Sequence, residues 1–476
     1  MNPSEKFLRE HSARPEDLFL TRRHWLNRFG MGFGALSLAT MLGDQFATSA
    51  AAAAPGKSLN PLAPRDSHFP AKAKRVIHIF AQGAPSQVDT WDPKPELTKQ
   101  HGKNIPGGGV AMGSPFSFTR QGKSGIEVSE VFPQLGNHVD EMAVVRSMHT
   151  DIPAHEVATV FMNTGSLRIS KPSLGAWSLY GLGTENQNMP GFIALRPGNN
   201  PSGGTQNWQS AFLPGIFQGT SINTKNPNVD EMIENIRNRY FDQKEQRRQL
   251  DLVHQLNALH SQNLQKDAQL EARIEAFEMA YKMQTAATDA FDITKEPEAM
   301  RTLYGNSSQG NQLLIARRLI ERGVRFVQVW ASGWDHHQNL SERLRNSARE
   351  IDQPAAALLT DLRERGLLDS TLVVWGGEFG RKPTHDRNGN ANPGRDHNNR
   401  GFCAWLAGGG VKGGTIHGAT DDFGGASVHR KMHVHDLHAT ILHLLGFNHE
   451  KLTYRYNGRD FRLTDNFGKV ADNIIA

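Results

Sequence analysis

The chain has 476 residues, 38% hydrophobic and 21% charged, a balance that permits one large α/β domain with insertions or two smaller domains. The net charge is only +5, and its Lys and Arg are scattered rather than grouped among aromatics, which argues against a nucleic-acid partner. The one cysteine, Cys403, excludes an intramolecular disulfide and reads as a small buried hydrophobe within Phe402-Cys403-Ala404-Trp405-Leu406.

Residues 1–54 follow the order of a twin-arginine signal peptide. Thr21-Arg22-Arg23-His24-Trp25-Leu26 carries the arginine pair, Phe29 to Met41 is apolar, and Ala47 to Ala54 offers small-residue cleavage points. The apolar stretch is shorter than the ~20 residues of a spanning helix, and no later segment is apolar enough to span a bilayer. The expectation is export of a folded protein by the twin-arginine machinery, to the periplasm or the exterior, without a stable membrane span. A Pro/Ala linker over 55–73 leads to a main domain over 74–465, and 466–476 reads as a C-terminal tail.

Short apolar runs with helical patterns between them then follow. They are Arg75 to Phe80, Ala143 to Arg146, Phe192 to Leu195, Val324 to Trp330, Leu372 to Trp375 and Phe402 to Ala407. This alternation predicts a mostly parallel central sheet flanked by helices, with its chemistry at the carboxyl ends of the strands. Residues 228–290 read as an inserted helical segment with a broken stripe of Met232, Ile236, Leu250, Val253, Leu256, Leu259 and Leu270. Residues 307–322 read as a helix feeding the strand that ends at Trp330.

Five stretches carry residue types suited to chemistry. After the first strand, Gly83 to Pro95 holds Asp89 and Asp92, candidate ligands or ordinary turn aspartates. In Thr150-Asp151-Ile152-Pro153-Ala154-His155-Glu156, Pro153 marks a helix start and the helix runs to Thr164-Gly165. His155 thus lies at the positive end of a helix, as nucleophile, acid/base or ligand, or as a simple capping histidine. In Gly333-Trp334-Asp335-His336-His337, a carboxylate and an imidazole two residues apart suit a divalent cation; a capped turn is the plain alternative. In Trp375-Gly376-Gly377-Glu378-Phe379-Gly380-Arg381, Glu378 emerges at a strand end and Arg381 could grip an anion, or the two form a loop ion pair. Gly394-Arg395-Asp396-His397 sits in the Asn/Gly-rich loop 388–400. His435, His438 and His443 of the last helix read as packing or surface residues.

Taken jointly, these motifs resemble the sulfatase-like proteins called domain of unknown function 1501, within the alkaline-phosphatase superfamily. The matching stretches are Gly83 to Pro95, Arg146 to Gly165, Lys171 to Leu182, Ala316 to His337, Glu378 to Pro383, Gly394 to His397, Trp405 to Gly425 and Asp436 to Gly446. The resemblance implies an alkaline-phosphatase/sulfatase-like α/β fold and an exported location. It also implies a metal held by Asp335, His337 and His397, with His336 as a spare. Glu378 and Asp89 would complete or adjoin the site, in a second metal position where the family's Asp directly after the first strand is replaced by Gln82-Gly83. Counting back from Thr164-Gly165 to the sulfatase nucleophile lands on His155, not on the Cys or Ser that becomes formylglycine. His155 is then the candidate at the reacting centre, and Arg381 and Arg395 would orient the anion.

The function expected is a metal-dependent hydrolase acting on a sulfate or phosphate ester, small or carried on an extracellular glycan. Its cofactor would be zinc, calcium, magnesium or manganese. The alternative is a catalytically inactive relative that binds glycans or partners at the cell surface.

Overall fold

The computed structural model describes residues 60–233, 242–263, 281–282, 288–386 and 392–476. The signal segment, residues 55–59 of the linker, Ile236 and Leu270 lie outside these residues. The chain forms two compact units. Among described residues, Asn60 and 242–256 belong to one, and the other, over 61–236 and 257–476, carries the sheet. The long helical segment is described as helices Val229–Met232 and Gln243–Asn263.

The sheet has nine strands: β1 (Arg75–Ala81), β2 (Met142–His149), β3 (Phe192–Arg196), β4 (Thr220–Asn223), β5 (Phe326–Ala331), β6 (Thr371–Gly376), β7 (Phe402–Ala407), β8 (Thr415–His417) and β9 (Met432–His433). Their order is β8-β2-β7-β6-β1-β5-β3-β4, with β9 also pairing β2. Every pairing is parallel except those of β7, which runs antiparallel to both β6 and β2. The mostly parallel α/β sheet predicted from the sequence is therefore present, with one reversed strand.

Strand β1 shows why its run is apolar on both faces. Ile77 and Ile79 join a core that includes α3 (Ser308–Glu321) and α4 (Leu340–Glu364), whereas Val76 and Phe80 join a second core with α2 (Leu174–Leu182) and α5 (Val434–Leu444). A parallel strand covered by helices on both sides has no solvent face to mark with polar residues. No helix among the described residues is long and apolar enough to cross a membrane.

The order β6-β1-β5 sets three strand ends side by side at the centre. Gln82-Gly83, Gly377-Glu378 and Ser332 to Asp335 all leave the same edge. Strand β2 delivers the loop to α1 (His155–Thr164), which ends on Gly165 at φ 63°. Because β7 is reversed, the segment before it, His397 to Gly401, starts from that edge too.

Candidate metal centre

Asp335 stands at the middle of a group of imidazoles. Its Oδ1 lies 3.0 Å from Nε2 of His337, 3.4 Å from Nε2 of His155 and 3.5 Å from Nε2 of His397. His337 and His397 bring their Nε2 atoms within 3.0 Å of each other. His155, Asp335 and His397 offer ligand atoms that all lie within 4.8 Å of one another. A tetrahedral centre with bonds of ~2.0–2.1 Å places its donors ~3.3 Å apart, so these spacings fit a cation.

The outer nitrogens fix the tautomers. Nδ1 of His155 lies 2.6 Å from Glu378 Oε1, Nδ1 of His337 lies 2.5 Å from Asp386 Oδ2, and Nδ1 of His397 lies 2.9 Å from the Pro153 carbonyl. All three partners are acceptors, so each Nδ1 carries a proton and donates it. When these rings are neutral, each Nε2 presents a lone pair toward Asp335, the arrangement that orients metal-binding histidines. Two lone pairs meeting at 3.0 Å repel unless a proton or a cation lies between them. Nε2 of His155 is buried and makes no hydrogen bond, since its contact with Asp335 is poorly aligned.

The electrostatics point the same way. Burial by itself lowers the pKa of His155, but its contacts with Asp335 and Glu378 prevail and raise it to about 9. Burial opposes ionisation of Asp335 as well, yet the neighbouring His155, His397 and Arg381 together hold its carboxyl well below the usual range. The paired carboxylates thus draw positive charge to this point.

Local structure explains the placement. Gly83 has φ 109°, and a Cβ there would lie 2.6 Å from the Asp335 backbone nitrogen, so the loop after β1 can lie against the loop after β5 only as glycine. The Gly83 N–H also donates to Glu378 Oε1 at 3.0 Å, which anchors a carboxylate that has no exposed surface. Phe379 supports the rings of His155 and His397 at centroid distances of 4.9 and 4.7 Å.

Several expected roles need correction. Asp89 is not in the group: it accepts two hydrogen bonds from Arg395, at 2.6 and 3.0 Å, and one from Ser86 Oγ at 2.5 Å. Asp89 and Arg395 are both fully buried, so neither a metal ligand nor an anion grip fits them. Arg381 is buried as well; its Nε donates to the Ala84 carbonyl at 3.0 Å and an Nη to the Arg395 carbonyl at 3.0 Å, and it also donates to Gly83 and Asp335. Its fork ties three loops together instead of facing a substrate. Glu378 stands behind His155, not among the inner donors. His336 turns inward, with Nε2 3.1 Å from Ser347 Oγ, and is no spare ligand.

The structure adds Asp386, which the sequence reading missed, and Asp396, which that reading named within Gly394 to His397 without a role. Asp396 forms a second possible ligand group with His337 and His397. Nothing local marks Asp386, whose role appears only once His337 is folded against it. His435 and His438 contact the Gly165 and Met162 carbonyls at 3.0 and 2.8 Å, as packing residues would.

No curated protein matches the sequence. Among solved structures, the chain is similar to a lipoteichoic acid synthase from Listeria monocytogenes at 10% identity and TM-score 0.39, over 85% of this chain and 78% of that one. It is similar to a sulfatase from Pseudoalteromonas sp. at 12% identity and TM-score 0.35, over 79% and 68%. A TAB5 alkaline phosphatase variant with Mg bound aligns at 13% identity and TM-score 0.32, over 71% and 92%. These likenesses carry over no activity. The family model described as "Protein of unknown function (DUF1501)" matches residues 73–475, and the chain belongs to that family.

Proposed function

We propose that this chain is an exported, metal-dependent hydrolase of a sulfate or phosphate ester, small or borne on a glycan. One observation carries the reading: three imidazole Nε2 atoms and one carboxylate oxygen converge at the carboxyl edge of the sheet, each imidazole held from behind by an acceptor. Asp335, His155 and His397 would hold the cation, with His337 adjoining Asp335 and His397 at 3.0 Å from each. A divalent cation bound there supplies Lewis-acid polarisation of an ester oxygen. Glu378 keeps the proton of His155 on Nδ1, which leaves the lone pair of Nε2 to face the cation. The Asp335 side chain is 47% exposed, leaving the centre open to a ligand from solvent. The twin-arginine pattern supports delivery to the periplasm or exterior.

The test is turnover of 4-nitrophenyl sulfate and phosphate with zinc, calcium, magnesium or manganese added in turn. Turnover that chelation removes and that Asp335→Asn abolishes supports the reading. A protein inert with all four metals contradicts it. Two observations favour the inactive-binder alternative: His155 stands where a sulfatase would carry its Cys or Ser, and neither Arg381 nor Arg395 is free to meet an anion.

A further inference from the structure

The ribbon that carries His397 has another side. Gly380–Arg381 pairs antiparallel with His397–Asn398, with His397 opposite Arg381. His397 turns to Asp335, while the next residue, Asn398, lines a separate cavity of about 250 Å³. Lys382, Thr384, Arg400, Asp421 and Phe423 also line it.

The charges of this cavity are unevenly engaged. Asp421 is turned into its own loop, accepting backbone N–H groups of Phe423, Gly425 and Ala426 at 3.1, 2.8 and 2.8 Å. The Asn398 amide donates to the Gly401 and Gly425 carbonyls at 3.2 and 3.0 Å. Lys382 holds Asp396 at 2.7 Å, but both side chains are open to solvent and such pairs are weak. Arg400 is exposed, and among the described residues its guanidinium has no hydrogen-bond or ion-pair partner. The cavity therefore presents one free guanidinium, a loosely held ammonium, the Thr384 hydroxyl and an aromatic wall. A sugar ring suits the aromatic wall and the polar groups, and its anionic substituent suits Arg400.

We propose that this cavity is a subsite for an anionic sugar residue, with Arg400 pairing its sulfate or carboxylate. That the sugar belongs to a substrate rests on the hydrolase reading; that it binds does not. Free Arg400 also answers what the buried Arg381 and Arg395 leave open, namely where a negative ligand finds a cation.

The experiment is calorimetric titration of the full chain with a dextran sulfate tetrasaccharide, with neutral isomaltotetraose and inorganic sulfate as comparisons. Arg400→Ala should weaken the sulfated tetrasaccharide about tenfold, consistent with loss of a charge-assisted pair. Arg400→Lys should weaken it less, and Arg349→Ala, a change at an exposed arginine away from the cavity, not at all. No binding by the natural chain overturns the proposal, as does Arg400→Ala binding like the natural chain or Arg349→Ala losing as much. Inorganic sulfate binding as tightly as the tetrasaccharide also overturns it, by reducing the site to a simple anion contact. Arg400-dependent binding without ester turnover keeps the subsite and removes the hydrolase. Turnover of aryl esters without Arg400-dependent binding does the reverse.

Discussion

Glu378 Oε1 lies 2.6 Å from Nδ1 of His155, behind the ring face that meets Asp335, and the carboxylate is wholly buried. It sets the tautomer of His155 and makes the imidazole more basic. Losing such a partner typically costs 10–100-fold in metal affinity. Glu378→Gln keeps the volume and an acceptor but removes the charge, so about a tenfold loss of affinity is expected, toward the low end of that range. Competition with a chelator measures it, and circular dichroism should show the fold intact. Unchanged affinity would remove Glu378 from the support of the site.

Gly83→Ala should damage both fold and centre. The new Cβ would sit 2.6 Å from the Asp335 nitrogen and 2.9 Å from Trp334 backbone atoms, at φ 109°. A loss of about 2 kcal/mol or more is expected, together with weaker metal binding. Urea unfolding and metal titration report the two effects, and a variant as stable as the natural chain would contradict the packing described.

Asp89→Ala leaves the buried Arg395 guanidinium without its carboxylate. Removing one partner of a buried ion pair costs ~3–5 kcal/mol. The expected result is a large drop in the urea midpoint. A change under 1 kcal/mol, read against the ~3–5 expected, would mean that water or another acceptor reaches Arg395.

Acid should unfold the protein partly through buried histidines. Burial lowers the pKa of His78 to about 4; burial, with the nearby His435 adding to it, lowers that of His438 to about 3. The unfolded chain takes up these protons near pH 6.5, while the folded chain does so only at the lower values. Their contribution is therefore present above pH 6.5 and is lost as pH falls toward 4 and then 3. For His78 the shift corresponds to about 3 kcal/mol. His438→Gln keeps a donor for the Met162 carbonyl and cannot charge, so its melting temperature should fall less between pH 6.5 and 4. An equal fall in both proteins would contradict this.

The strands were legible because buried parallel strands concentrate β-branched and aromatic residues. All six apolar runs became strands, and Phe402 to Ala407 matches its boundaries. The short edge strands Thr415–His417 and Met432–His433 were not legible, being two or three residues long with polar side chains. Nor was the reversal of β7, since pairing direction leaves no local pattern. At the centre, Asp335, His337 and His397 were marked by residue type and loop context. The role of Glu378 was not, because a carboxylate after a strand reads alike whether it faces a cation or a histidine. Asp89, Arg381 and Arg395 looked open for the same reason: their buried partners lie about 300 residues away or in other loops.

The most direct measurement is anomalous diffraction from crystals soaked in zinc. The expected result is a peak bonded to Nε2 of His155, Nε2 of His397 and a carboxylate oxygen of Asp335, at ~2.0–2.2 Å from each. A zinc-soaked crystal with no peak among these three side chains, or with the peak bonded to other residues, would contradict it.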